Sequence, residues 1–103
     1  MELNFSDGIL TAYIEGEIDH HTAPSIREKI DDKIIEDKPS LLRLDYSGVT
    51  FMDSSGIGLI LGRYKLIKFY AGELEVVNIP RNMEKVVKLS GIEKLARITI
   101  KEN

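Results

Sequence analysis

At 103 residues the chain is long enough for one core and too short for two, which excludes large multi-site enzymes. Its 43% hydrophobic and 30% charged residues suit a chain that buries a core, and 14 basic against 17 acidic side chains give no electrostatic footprint for nucleic acid or anionic lipid. The absence of cysteine excludes disulfides, thiolate zinc sites and iron–sulfur clusters.

Leu3 and Phe5, then Leu10, Ala12 and Ile14, alternate with other residues on either side of Asp7-Gly8, so the chain is expected to open with an antiparallel hairpin. Thr22 and Pro24 read as a helix start, the hydroxyl capping a free N–H and the proline sitting where no intrahelical donor is needed. Ile26, Ile30 and Ile34 form its buried stripe, Arg27, Glu28, Asp31 and Asp32 its outer face, and Lys38-Pro39 its end. From Leu41 to Tyr46, Leu42, Leu44 and Tyr46 face one way and Arg43 and Asp45 the other. A helix is predicted from about Ser55 to Ala71, with Ile57, Ile60, Leu61, Tyr64 and Ile67 on one side and Gly72 as a left-handed cap.

A strand with Leu74 and Val76 inward follows, then a helix begun by Pro80 that carries Met83, Val86 and Val87 and stops at Gly91. Ala96, Ile98 and Ile100 read as a last short strand. Strand–helix alternation after the hairpin implies parallel strands with right-handed crossovers, hence an α/β fold with a mixed sheet. Because the later strands alternate apolar with charged residues, the helices are expected mainly on one face. The chain lacks a basic-then-apolar leader and any apolar run near the ~20 residues that span a bilayer, so a single soluble cytoplasmic domain over 1–103 is expected.

Chemistry concentrates in Phe51-Met52-Asp53-Ser54-Ser55-Gly56-Ile57-Gly58 and on through Lys65, a strand end turning into a helix. The first four N–H groups of a helix lack intrahelical partners and the macrodipole favours an anion there, so Ser54 or Ser55 suits both a cap and a phosphate. Capping alone would explain the serines. Gly56, Gly58 and Gly62 are spaced G-x-G-x-x-x-G, a poor dinucleotide fingerprint, with Glu75 a ribose ligand only by count; Gly58 and Gly62 more simply allow close packing against the sheet or a partner. Asp53-Ser54 lacks a nucleophile elbow, and adjacent His20 and His21 are expected to point apart rather than converge on a metal, so neither catalysis nor a cofactor is expected. Asp19-His20-His21-Thr22 occupies the same kind of junction, and in a parallel sheet both junctions share one edge, placing Asp19 and Ser54 in one patch.

Over nearly the whole chain, and most closely in Gly16-Glu17-Ile18-Asp19-His20-His21-Thr22-Ala23 and in Phe51 through Lys65, the sequence resembles the bacterial anti-sigma-factor antagonists built on the STAS domain, in their sporulation branch. The resemblance implies a STAS-like fold and a regulatory role without catalysis. It implies phosphorylation of Ser54 by an anti-sigma factor that is also a serine kinase, binding of that partner only by the unphosphorylated form with release of the sigma factor, and a serine phosphatase that restores activity. Asp19 falls where the family has a partner-binding acid, Asp53 and Gly56 shape the loop, and Ser55 is the second-ranked acceptor; His20 and Ile57 complete the implied partner contacts. The family likeness leans toward a monomer when free, with no nucleic acid, membrane or metal. The alternatives are a STAS regulator of a stress or nucleotide-sensing pathway and a small dinucleotide-binding enzyme.

Overall fold

The computed structural model of the protein describes residues 1–102. β1 (Glu2–Ser6) and β2 (Ile9–Ile18) are joined by Asp7 and Gly8, whose φ angles of 53° and 79° match the turn to the strands' twist. Then come α1 (Ala23–Asp37), β3 (Leu41–Met52), α2 (Ser54–Phe69) and β4 (Glu73–Ile79). A 3-10 turn at Arg81–Met83 runs into α3 (Glu84–Leu89), and a second at Ile92–Lys94 leads to β5 (Arg97–Ile100). The sheet order is β1-β2-β3-β4-β5, with β1 antiparallel to β2 and every later pair parallel. This is the mixed sheet the alternation of elements implied.

Period-two alternation sends Leu10, Ala12 and Ile14 of β2, Leu42, Leu44 and Tyr46 of β3, and Leu74 and Val76 of β4 to one face, all of them buried. That face meets Ile30 and Ile34 of α1 and Ile60 and Ile67 of α2, and Met83, Val87 and Ile92 complete the core. The opposite face carries an Arg43–Glu75 ion pair, a hydrogen bond from the Asn78 amide to Asp45, and a half-exposed Tyr13. The helices therefore cover one face.

Several details depart from the sequence reading. β3 runs six residues past Tyr46, to Met52, because its alternation changes phase: Tyr13 pairs with Asp45 but Glu15 with Gly48, and Gly16 with Val49 but Glu17 with Phe51. Each shift inserts one extra β3 residue, a bulge that reverses which side chains point inward. Gly48 permits this, since a Cβ there would lie 3.0 Å from that of Glu15. α2 ends at Phe69, and the left-handed residue after it is Ala71 at φ 63°. Gly72 is instead demanded by close approach, a Cβ there falling 2.8 Å from both the Ile67 side chain and the Pro39 carbonyl.

Gly58 and Gly62 do not bring α2 against the sheet, since a Cβ at either would meet nothing within 4 Å; Gly56 takes the tight contact, against Met52. The most buried line of α2 is Gly56, Leu59, Ile60, Arg63 and Ile67, with Ile57, Leu61 and Tyr64 half-buried at its margin. Asp31, expected outward, turns into the space between α1 and α2.

Candidate functional site

Ile18 and Met52 pair at the same level of the parallel strands β2 and β3, so the loops that leave them start side by side. The Asp53 N–H donates to the Ile18 carbonyl at 3.2 Å and ties the loops together. The two junctions thus share one edge of the sheet, as their topology implied. The third crossover borders the same edge: Thr50, Phe51 and Met52 line a cleft with Asn82, Met83 and Val86, a neighbour that reading the first two junctions alone missed.

At the first junction the Asp19 carboxylate, not the Thr22 hydroxyl, satisfies the free amides. Asp19 Oδ1 accepts from the N–H of His21 at 2.8 Å and of Thr22 at 3.0 Å. Thr22 has helical φ and ψ, which turn its hydroxyl back: Oγ1 accepts from the Asp19 N–H at 3.0 Å and donates to the Glu17 carbonyl at 2.9 Å. Amide donors favour the charged carboxylate, so those of Thr22 and then His21 hold the Asp19 pKa below the ordinary carboxylate value. Pro24 lies in the first turn of α1, where it was expected. His20 and His21 are exposed, with ring centroids 4.0 Å apart and tilted by 39°; the tight turn stacks side chains that a helix or strand would have separated.

At the second junction Asp53 caps α2, its Oδ1 accepting from the Ser55 N–H at 2.7 Å, and its carbonyl accepts from Gly56 at 3.0 Å. Neither serine is the cap. An aspartate one residue earlier leaves both hydroxyls free of that duty. Ser54 is the first residue of α2 and is exposed; Ser55 is half-buried on the side facing α1. Gly56 is buried because a Cβ would lie 2.7 Å from Met52 Cβ, and its carbonyl accepts from the buried Tyr46 hydroxyl at 3.3 Å. Burial raises the Tyr46 pKa well above the phenol range, so this hydroxyl stays a donor. Ile57 is half-buried against the core, while Phe51 stands 51% exposed beside the loop. The Asp53–Ile18 hydrogen bond and the groove that His20 and Ser55 both line set the Asp19 junction beside the Ser54 junction, with Gly56 and Ile57 following in the first turn of α2.

Sequence reasoning missed Arg63, which is 5% exposed and sends its guanidinium between α1 and α2, Nε lying 2.7 Å from Asp31 Oδ1. Burial pushes the Asp31 carboxyl up and the Arg63 guanidinium down, each opposed by the other's charge. The signal was present. Arg63 lies three residues after Ile60 and four before Ile67, a charge on an apolar stripe.

An anti-sigma F factor antagonist of Paenibacillus polymyxa is 36% identical over 98 residues, covering 95% of this chain and 84% of that protein. Among solved structures, the unphosphorylated form of the anti-sigma factor antagonist SpoIIAA matches with a TM-score of 0.74 at 27% identity, over 99% of this chain and 88% of that one. The phosphorylated form of the Bacillus cell fate determinant SpoIIAA also gives 0.74, at 31% identity over 94% of this chain and 88% of that one. With its residues 1–103 matched end to end by the STAS domain model, this chain belongs to the STAS domain family.

Proposed function

We propose that this chain is an anti-sigma-factor antagonist of the sporulation type, a binding module rather than an enzyme, switched by phosphorylation of Ser54. The observation that carries the reading is the exposed Ser54 hydroxyl at the first residue of α2, on a loop hydrogen-bonded to the Asp19 junction. The unphosphorylated protein acts in the cytoplasm as a monomer, binds an anti-sigma factor that is also a serine kinase, and frees the sigma factor. Asp19, His20, Asp53, Ser55, Gly56 and Ile57 form or support the contact. In the switching step the Ser54 oxygen bonds to the γ-phosphorus of the partner's ATP, the bond to the ADP oxygen breaks, and the hydroxyl proton passes to a base on the partner. A serine phosphatase reverses it.

The energetics favour a switch that acts on docking and leaves the fold alone. Phosphate adds about −1.5 to −2 charges, which a helix N-terminus favours by about 0.3–1 kcal/mol. Inside an interface the same dianion loses water and meets the carboxylates of Asp53 and Asp19, a like-charge cost of several kcal/mol. Equal likeness to the phosphorylated and unphosphorylated relatives supports a scaffold that tolerates the modification.

The test is incubation with the cognate kinase and ATP, followed by mapping of the phosphate by mass spectrometry. Modification is expected at Ser54 and lost in Ser54→Ala. Ser54→Asp should keep the wild-type circular dichroism while binding the partner about tenfold more weakly. Phosphate confined to other residues, or undiminished binding by Ser54→Asp, overturns the reading.

A further inference from the structure

The chain has three methionines and no cysteine, so all of its oxidisable sulfur is thioether. The three differ in setting. The Met1 side chain is 5% exposed and Met83 6%, whereas Met52 is half-buried at the end of β3. Met52 is pressed against the first turn of α2, where a Cβ on Gly56 would fall 2.7 Å from its Sδ as well as from its Cβ. It also lines the cleft of about 180 Å³ that it shares with Thr50, Asn82, Met83 and Val86. Thr50 and Asn82, both exposed, are the residues of that cleft whose side chains carry hydrogen-bond donors.

We propose that Met52 is an oxidation site: a peroxide converts its thioether to the sulfoxide, and the oxidised side chain leaves Gly56 for the cleft and releases the first turn of α2. A sulfur lone pair takes one oxygen of the peroxide. The S–O bond forms, the O–O bond breaks, sulfur gives up two electrons, and with hydrogen peroxide the second oxygen departs as water. A thioether packs as an apolar group, whereas a sulfoxide is polar and carries a strong acceptor, which the contact with Gly56 would leave unpaired. The cleft offers that oxygen both space and donors. Asp53, the cap of α2, is the next residue, so the change reaches the helix start without using the Ser54 hydroxyl and does not depend on phosphorylation.

The experiment treats the full chain with hydrogen peroxide, maps the added oxygen by peptide mass spectrometry, and follows amide hydrogen exchange by NMR. Met52 should gain one oxygen about tenfold faster than Met83, in line with its greater exposure. Oxidation should then speed exchange about tenfold at Ser55 and Gly56, whose N–H groups bond to Asp53, and leave the amides of Ile30 and Ile34 unchanged. Met52→Leu, close in volume and unable to take oxygen, should keep the native spectrum and show no such acceleration under the same treatment. Reduction by methionine sulfoxide reductases should restore slow exchange in the wild-type chain. Equal oxidation of Met52 and Met83, or a sulfoxide at Met52 that leaves Ser55 and Gly56 exchange unchanged, overturns the proposal.

Discussion

Ser54 and Asp19 show what a single residue's setting decides. Ser54 is accessible because Asp53 has taken the capping role, and Asp19 is fixed because two backbone amides point at one of its oxygens. A lowered folded-state pKa means that Asp19 contributes stability above its unfolded value and loses it as pH falls through the folded value. The amide signals of His21 and Thr22 are therefore expected to titrate together, with a midpoint below that of an ordinary aspartate; a midpoint at or above the ordinary value would contradict the geometry. Both residues were legible in the sequence as members of two junctions. Which neighbour caps was not legible, because Asp, Ser and Thr all cap well and the choice turns on backbone angles that only the fold sets.

The strand–helix units were legible for the same reason their details were not. Alternation through Tyr46 identified β3, but the two bulges beyond it reverse the inward set, so the last six residues carry no period-two signal. In α2, counting glycines could not tell which face each would occupy. Gly56 faces Met52 at 2.7 Å, whereas Gly58 and Gly62 face open space. Gly56→Ala should cost about 1–3 kcal/mol through overpacking, and Gly58→Ala and Gly62→Ala should each add up to about 1 kcal/mol through helix propensity. Urea denaturation of the three variants checks this; equal effects at all three positions would sink the distinction.

The mixed character of the sheet, an antiparallel hairpin and then parallel strands, follows from the order of elements and was legible. The order β1-β2-β3-β4-β5 was not read from the sequence, because crossovers alone leave more than one arrangement. The joining of α1 to α2 by Arg63 and Asp31 was not, because a tertiary ion pair between residues thirty-two apart leaves no local pattern. Arg63 is nearly sealed and Asp31 retains 26% side-chain exposure, so the two single losses should differ. Asp31→Leu strands a buried cation and should cost about 3 kcal/mol, while Arg63→Met leaves a carboxylate that still reaches water and should cost about half as much. The double variant should recover most of the loss, as read from thermal unfolding; additive losses would mean the pair is not coupled. The same one-sided layering leaves the sheet face that carries Tyr13, Arg43 and Asp45 without helices. A dye, bead or sensor chip attached through the Tyr13 side of the sheet would sit on the face away from α1 and α2, so the binding tests of the proposed switch could be run on tethered protein.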